Sequence, residues 1–169
     1  MAFSLIPQGV YPSFSVLSPK ALKAKGIKLV LADLDNTLVP YKVPEPTQEV
    51  IDWKNALEAE GLQLFVLSNS RKPGRARHFA EALGVPFQGH SGKPKKKGYL
   101  RAMERMGAAP HETVMIGDQI FTDVLGANNA GVTPMLILPI RLAGNPGRYL
   151  RYAVEVPFRL LSAGGEKLC

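Results

Sequence analysis

The amino-acid sequence predicts an α/β fold, a three-layer α/β/α sandwich with a parallel central sheet. Continuous apolar segments recur along the 169 residues, as LVLA at 29–32, QLFVL at 63–67 and TVMI at 113–116. Such segments are typical of strands that are buried on both faces of a sheet. Helix-like segments separate them, and this alternation predicts right-handed crossovers between parallel strands.

The first third of the chain predicts a leader, a strand and a helix. Residues 1–26 are apolar but broken by three prolines, which predicts an ordered leader packed on the domain or a surface for a membrane or partner. A strand is expected over 27–34. Thr47 is a good N-cap for a helix over about 48–60, which Gly61 ends. The apolar side of this helix is predicted to contain Val50, Ile51, Trp53, Ala56, Leu57 and Ala59.

The remaining elements continue the alternation of strand and helix. Pro73 lies in the first turn of a helix that is expected to end near Leu83, before Gly84. Residues 85–87 are too short to assign, and a helix after the segment KPKKKG is expected to end near Met106. The last three elements are predicted as a strand over 113–116, a helix over about 122–129 and a strand over 133–138.

The composition indicates a globular protein of the cytoplasm. Hydrophobic residues make up 46% and charged residues 21% of the chain. No apolar run approaches the roughly 18 residues of a membrane-spanning helix, and no signal peptide is expected at the N-terminus. Cys169 is the single cysteine, which excludes a disulfide framework and argues against a cysteine-based phosphatase. The three histidines lack the spacing of zinc ligands.

Two carboxylates follow the first predicted strand. If the chain is still extended there, Asp33 and Asp35 project to the same side. Paired carboxylates repel each other, so a bound cation is the expected reason for the pairing. Oxygen ligands suit a hard ion such as Mg²⁺, and open α/β sheets bind ligands beyond the carboxyl ends of their strands. The sequence therefore predicts a metal-bound acidic pair in an active site, with a simple acidic turn as the alternative.

Polar residues also mark the ends of later strands. Ser68 closes the second strand, Lys93 precedes a proline in a loop, and Asp118 follows the TVMIG segment with Asp123 five positions on. Each has an ordinary explanation by itself, since Ser-Asn is a common turn and a single lysine is usually solvated. Independent turns would rarely place all of them at strand ends or in the loops beyond, so we interpret them as one functional set.

In this order the residues resemble the motifs of the haloacid dehalogenase-like (HAD) hydrolases. The match is specific for Asp-x-Asp-x-Thr at 33–37 and for Gly-Asp-x-x-x-Thr-Asp at 117–123, and the resemblance spans about residues 27–140. It implies a Rossmann-like, HAD-like fold. The short chain with LADLDNTLVPY resembles the subfamily IIIA branch of YqeG-like proteins, which is related to the phosphatidylglycerophosphate phosphatases.

The resemblance implies a role for each motif residue. Asp33 is expected to be the nucleophile that forms an aspartyl-phosphate, and Asp35 the general acid and base. Mg²⁺ is the expected cofactor, held by Asp33, the backbone carbonyl of Asp35 and Asp118. Dehalogenases of the family lack the second Asp, so Asp35 favours phosphoryl transfer. Lys93 is expected to be catalytic and to bind phosphate, with Thr37, Ser68 and Asn69 holding phosphoryl oxygens and Asp123 supporting Lys93 or the metal shell.

The intervals between the motifs leave no room for a cap domain. Thr37 and Ser68 are 31 positions apart (68 − 37), and Ser68 and Lys93 are 25 apart (93 − 68). Each interval holds one predicted helix. An uncapped site is open to water and suits a phosphate on a large carrier, such as a lipid head group, a nucleic-acid end or a protein. A mutase for small metabolites is disfavoured because it needs a closed site.

Residues 146–161, PGRYLRYAVEVPFRLL, have the pattern of a basic amphipathic helix. We favour a last helix that covers the sheet, and a helix lying in a membrane interface is the alternative. Pro157 argues against a straight helix through that point. One face is predicted to hold Arg148, Arg151, Glu155 and Arg159, and another Leu150, Val154, Phe158 and Leu161.

We therefore predict a single HAD-like domain over residues 1–169, with a leader over 1–26, a core over about 27–140 and a basic C-terminal segment over about 145–169. The net charge of +7 attracts phosphate-bearing partners without selecting among them. The preferred function is a Mg²⁺-dependent phosphatase of a large or membrane-borne substrate such as phosphatidylglycerophosphate. The expected location is the cytoplasm, with peripheral contact at the inner membrane surface as an open point.

Two alternatives stay open. The first is a phosphatase of nucleic-acid ends or phosphoproteins, and the second is a catalytically silent binding protein with the same fold. The complete set of acidic residues argues against the second. The docking surface of the first would comprise Lys93, Lys95, Lys96, Lys97, Arg71, Lys72, Arg75 and Arg77.

Overall fold

Six parallel strands form one sheet in the order β1-β6-β5-β2-β3-β4. The structure is a computed structural model and describes residues 4–70, 72, 74–140 and 146–161. The strands are β1 (Gly9–Tyr11), β2 (Leu29–Ala32), β3 (Gln63–Leu67), β4 (Phe87–Gln88), β5 (Thr113–Gly117) and β6 (Thr133–Ile137). The predicted parallel sheet is confirmed, and β1 and β4 extend it at its two edges.

Helices alternate with the strands along the chain. Thr47 Oγ1 accepts a hydrogen bond from Val50 N at 3.4 Å, so the predicted N-cap of the second helix is confirmed. Among the described helices, none is long and apolar enough to cross a membrane. The α-helices are α1 (Pro19–Ala24), α2 (Gln48–Ala59), α3 (Arg75–Leu83), α4 (Lys97–Met106), α5 (Leu125–Ala130) and α6 (Pro146–Leu161).

Apolar layers cover both faces of the central strands. Val30 and Val66 pack with α2 and α3 on one face. Leu31 and Phe65 point the other way, because side chains alternate along a strand, and they pack with α4 and α5. Helices therefore lie on both sides of the sheet, which confirms the predicted three-layer sandwich.

The N-terminal leader is part of the sheet. β1 pairs with β6, with Val10 opposite Leu136. The ring of Phe14 packs edge-on against Trp53 with centroids 5.2 Å apart, and Trp53 Nε1 donates to Leu17 O at 3.0 Å. This segment is therefore an ordered leader packed on the domain, which is the first of its two interpretations.

The topology creates a crevice at the carboxyl end of β2. The chain runs outward from β2 to β3 and β4, and then returns to the other side of β2 with β5. Such a reversal leaves space between the loops that follow the flanking strands. Asp33, Ser68 and Asp118 directly follow β2, β3 and β5. Three positions that are far apart in the sequence therefore meet at one edge of the sheet.

Two helices differ from their predicted form. The predicted apolar side of α2 is wrong at Ala56 and Ala59, which are exposed, because Val50, Trp53 and Leu57 alone form its buried stripe. The chain after β5 begins with a π-helical turn, Ile120–Val124, and α5 follows it directly. A π turn is wider than an α turn and is frequent at functional sites.

The last helix runs through Pro157. α6 is continuous from Pro146 to Leu161 with Pro157 inside it. Proline removes only one N–H donor from a helix, and Pro157 is exposed, so water can satisfy the carbonyl that loses its partner.

Candidate active site

Lys93 is the centre of the site. Its side chain is only 1% exposed, and its Nζ donates to Asp33 Oδ1 at 2.7 Å and to Leu67 O at 2.8 Å. The same Nζ forms an ion pair with Asp123 Oδ1 at 2.7 Å. One ammonium group therefore joins the chain after β2, the end of β3 and the turn after β5.

Burial and charge act in opposite directions on this group. Burial alone would lower the pKa of Lys93, but the attraction of Asp123 and Asp33 and their hydrogen bonds outweigh it and raise the pKa above its ordinary value. Burial raises the pKa of Asp123 from 3.8 to about 6, with Asp33 acting in the same direction and Lys93 opposing both. Lys93 is therefore cationic throughout the neutral range, and Asp123 is mostly ionised at pH 7.

Three buried carboxylates converge beside Lys93. One oxygen each from Asp33, Asp118 and Asp123 lies within 4.8 Å of the others. Counted by formal charge, three carboxylates and one ammonium give −2 (−3 + 1) in a buried space. An all-oxygen donor set of this charge fits a divalent hard cation such as Mg²⁺. The donor chemistry therefore suits the predicted ion, and Asp123, which we expected only to support the site, lies among the three candidate ligands.

The turn after β5 brings Asp118 and Asp123 together. A Cβ on Gly117 would lie 2.3 Å from Cγ of Asp123, so only glycine permits this approach. Asp123 Oδ2 accepts a hydrogen bond from Gln119 N at 3.1 Å, across the π turn. The Gly-Asp-x-x-x-Thr-Asp pattern therefore describes a tight turn that folds its second acid back onto its first.

The other acid after β2 has a basic partner. Arg75, at the start of α3, donates to Asp35 Oδ1 through Nε at 2.7 Å and forms an ion pair with the same oxygen through Nη2 at 2.6 Å. Arg75 Nη1 also donates to Val43 O at 3.0 Å, which fixes the guanidinium. Asn36 is left-handed, with φ of 66°, and it turns the chain so that its N–H donates to Val39 O. Asp35 is thus held by a side chain from a different element.

Two hydroxyl groups lie in the predicted phosphate-binding positions. Thr37 is fully buried, and its Oγ1 has no hydrogen-bond partner among the described residues. Ser68 is also buried, and its Oγ accepts a hydrogen bond from Ser70 N at 3.0 Å. An unpaired buried hydroxyl is costly without a ligand, so Thr37 has the property expected of a group that binds a phosphoryl oxygen.

Asn69 holds the loop that carries Lys93. Its Nδ2 donates to Lys93 O at 2.9 Å, and its Oδ1 accepts from Lys93 N at 3.0 Å and from Ser91 Oγ at 2.8 Å. We predicted that Asn69 binds phosphate, but these side-chain contacts favour a positioning role instead. The predicted phosphate contact stays a prediction for its backbone N–H.

The predicted basic docking surface is smaller than the sequence indicated. Lys93 is buried in the site and Arg75 is paired with Asp35, so neither can dock a large partner. Arg71 lies outside the described residues, as do the side chains of Arg148, Arg151 and Arg159. The exposed basic residues that remain are Lys72, Arg77, Lys95, Lys96 and Lys97.

Sequence reasoning missed the role of Glu155. We placed it on a solvated face of α6, but it is 1% exposed and accepts hydrogen bonds from Ile120 N at 2.9 Å and Phe121 N at 3.5 Å. Phe158 packs on the same segment, with its ring 6.3 Å from that of Phe121. The last helix therefore caps the turn that lies between Asp118 and Asp123.

The predicted orientation of α6 is wrong. Leu150 is 70% exposed and Val154 is 52% exposed, so the face that we expected to cover the sheet points to solvent. Phe158 alone of that predicted face packs on the core. The helix does cover part of the domain, but through Glu155 and Phe158.

Comparison with known proteins identifies the family. A family model of haloacid dehalogenase-like hydrolases matches residues 42–131. The chain is also 36% identical to "Probable phosphatase YqeG" of Bacillus subtilis over 147 residues, which cover 87% of this chain and 84% of that protein. The chain belongs to the haloacid dehalogenase-like hydrolase family. The predicted family and the predicted phosphatase class are thereby confirmed.

Two further matches extend this result. The chain is 27% identical over 149 residues to "Phosphatidylglycerophosphate phosphatase 1, chloroplastic" of Chlamydomonas reinhardtii, covering 83% of this chain and 55% of that protein. A solved structure from Legionella pneumophila, titled "Structure of putative HAD superfamily (subfamily III A) hydrolase", has a TM-score of 0.53 at 17% identity, covering 85% of this chain and 90% of that one. The second likeness confirms the HAD-like fold.

We expect Thr37→Val to separate activity from stability. Valine keeps the shape of the side chain and removes the unpaired hydroxyl, so the free energy of unfolding should stay the same or rise by up to about 1 kcal/mol. Loss of a hydroxyl that binds the reacting phosphoryl group should lower kcat/KM on the order of 100-fold. Chemical denaturation and assays with an aryl phosphate measure the two effects, with Thr133→Val, at the start of β6 and away from the site, as the control. Unchanged activity would remove Thr37 from the site.

We expect Glu155→Ala to weaken the metal site as well as the fold. Leaving the N–H groups of Ile120 and Phe121 unpaired should cost roughly 1–3 kcal/mol of unfolding free energy. Because these N–H groups lie between Asp118 and Asp123, Mg²⁺ binding by calorimetry should weaken too. Glu155→Gln retains an acceptor oxygen and should recover most of the affinity, and exposed Val154→Ala is the matched control. Normal Mg²⁺ affinity in a destabilised Glu155→Ala protein would limit Glu155 to a structural role.

Proposed function

We propose that this protein is a Mg²⁺-dependent phosphomonoester hydrolase that works through an aspartyl-phosphate. The observation that carries the proposal is the buried Asp33, which lies 2.7 Å from the Lys93 ammonium and within 4.8 Å of the carboxylates of Asp118 and Asp123. A carboxylate in this position can attack phosphorus, and a fixed cation beside it can stabilise the charge that develops.

The first half of the reaction uses five side chains, one of which is Asp35 as the proton donor to the leaving alkoxide. A carboxylate oxygen of Asp33 forms a bond to phosphorus while the bond to the leaving alkoxide breaks. Lys93 neutralises the anionic groups that meet there, and Thr37 and Ser68 donate hydroxyl hydrogen bonds to phosphoryl oxygens. Catalysis of phosphoryl transfer depends mainly on such positioning and charge.

The second half returns the enzyme to its starting state. Asp35, which gave its proton to the leaving alkoxide in the first half, takes one from a water molecule that attacks the aspartyl-phosphate. Phosphate leaves and the Asp33 carboxylate is restored. Arg75 fixes one oxygen of Asp35 in a single position, and the ionised carboxylate that this ion pair favours suits the step in which Asp35 takes a proton from water.

The proposed metal ligands are the carboxylates of Asp33, Asp118 and Asp123 and, as the family resemblance implies, the backbone carbonyl of Asp35. A bound Mg²⁺ would supply charge neutralisation between the nucleophile and the incoming phosphate. The protein residues determine where it binds: Lys93 contacts Asp33 and Asp123, and Glu155 holds the turn between Asp118 and Asp123.

We propose a phospholipid monoester, such as phosphatidylglycerophosphate, as the substrate. Three features support a large carrier of the phosphate. The stretch from Thr37 to Ser68 holds α2 and β3 without a further domain. A relative with 83% coverage of this chain bears the name of a phosphatidylglycerophosphate phosphatase. The net charge of the chain is +7, which favours an anionic lipid surface.

We propose that α6 carries the contact with that surface. Leu150 and Leu161 are 70% and 69% exposed, and helical spacing puts them on one stripe with Val154. An exposed apolar stripe on a helix of a basic protein is typical of an interfacial helix. Because the opposite side of α6 contacts the turn after β5, a lipid surface on this stripe would lie close to the site.

Replacing Asp33 tests the mechanism. Asp33→Asn retains size and removes the nucleophile, so hydrolysis of an aryl phosphate should fall by at least about 1,000-fold. Circular dichroism checks folding. Asp52→Asn makes the same change at an exposed position of α2 and is the matched control. EDTA should abolish wild-type activity and Mg²⁺ should restore it. A folded Asp33→Asn protein with near-normal turnover, or a wild type indifferent to EDTA, would contradict the mechanism.

Co-sedimentation with vesicles tests the lipid contact. Wild-type protein should pellet with vesicles of phosphatidylglycerol and phosphatidylcholine and stay in solution with phosphatidylcholine alone. Leu150→Asp with Leu161→Asp should abolish pelleting and leave aryl phosphate hydrolysis unchanged, because both positions are exposed. Leu100→Asp, also at an exposed leucine, is the control. Protein that never pellets would reject the lipid surface and favour the nucleic-acid or phosphoprotein alternative.

A further inference from the structure

An open cavity of about 550 Å³ adjoins Arg75, the partner of Asp35. It lies between the loop that follows the first motif and the start of α3. Arg75 lines this cavity and also contacts Asp35, so the cavity begins one side chain away from the proposed general acid. We call it the basic hollow, and its lining includes Tyr41, Lys42, Lys72, Arg75 and His78.

Two of its four basic side chains already have acidic partners. Arg75 is paired with Asp35, and His78 contacts Glu45. Lys42 and Lys72 are exposed, and neither lies within ion-pair distance of a carboxylate in the part of the chain that the structure describes. The hollow therefore has an excess of positive charge that comes from these two lysines.

Tyr41 and α3 add to the attraction for an anion. Lys72 Nζ lies 4.4 Å from the centre of the Tyr41 ring, and the Arg75 guanidinium lies 5.6 Å from the same centre. Both cations therefore lie beside this aromatic ring. Gly74, which also lines the hollow, is the N-cap of α3 and offers no side chain to the first N–H groups of the helix. The positive end of the α3 dipole therefore faces the same space.

We propose that the basic hollow binds a second phosphate group, carried on the leaving group of the substrate. This inference rests on the proposed function. The oxygen that leaves phosphorus takes a proton from Asp35, so the rest of the leaving group must extend past Asp35. Arg75, which contacts that carboxylate, lines the hollow. An anionic phosphodiester a few bonds from the departing oxygen would meet Lys42 and Lys72 there.

Two matched substrates test the preference. One is the monophosphate of 1,3-propanediol, and the other is the same compound with its second oxygen carrying a methyl phosphodiester. They differ by one anionic group. Wild-type protein with Mg²⁺ should have the higher kcat/KM for the diester-bearing compound, and the preference should shrink as salt is raised to about 0.15 M, where the screening length is about 8 Å. Equal kcat/KM values for both would overturn the proposal.

Two lysine pairs locate the effect. Lys42→Gln with Lys72→Gln should lower kcat/KM for the diester-bearing compound roughly three- to tenfold, as two exposed charge contacts would, and leave that for the monophosphate unchanged. Lys23→Gln with Lys25→Gln removes the same charge from the end of α1, before β2 begins, and should change neither value. An equal loss for both substrates in the first pair, or an equal effect of both pairs, would reject a specific subsite.

Binding without turnover keeps this test separate from the proposed function. Calorimetry on Asp33→Asn protein measures the affinity for each compound when no hydrolysis occurs. Tighter binding of the diester-bearing compound that depends on Lys42 and Lys72 would support the hollow even if wild-type protein hydrolysed neither compound. Hydrolysis of both compounds with equal affinity would retain the phosphatase and reject the hollow as a phosphate subsite.

Discussion

The buried ammonium of Lys93 is the interaction on which the site depends. It contacts Asp33 after β2, Leu67 at the end of β3 and Asp123 in the turn after β5. Removing it would leave two buried carboxylates that repel each other, and an uncompensated buried charge costs about 3–5 kcal/mol. The same group thus holds three strand ends together and lets acidic side chains accumulate where the sheet opens.

The central strands and the motif residues could be predicted because their signals are local. β2, β3 and β5 are continuous apolar runs, and each is followed at once by a polar residue of the site. β1 and β4 have three and two residues, and they exist only because β6 and β3 offer a free edge. A strand that depends on its neighbour in this way has no signature in its own sequence.

The partners of the site residues could not be predicted, because helix charges are usually solvated. Arg75 is 40 positions from Asp35, and Glu155 is 35 positions from Ile120. From the sequence, Arg75 and Glu155 both have the pattern of solvent-exposed helix residues, and only the fold places them near the ends of strands. The sequence pattern of α6 predicts a polar face and an apolar face, but it does not indicate which of them packs on the domain. Glu155 decides this, since its carboxylate accepts hydrogen bonds from a buried turn and so directs Leu150 and Val154 to solvent.

The charges at this edge of the sheet fall into two regions with opposite signs. The buried carboxylates with Lys93 carry −2, which suits a divalent cation and the phosphate that it attracts, whereas the basic hollow has its excess of positive charge in the open. Asp35 lies between them, held by Arg75. In a site without a cap, enclosure cannot select the substrate. We propose that selection comes instead from what the open side offers to the leaving group, namely the two lysines of the hollow and the apolar stripe of α6.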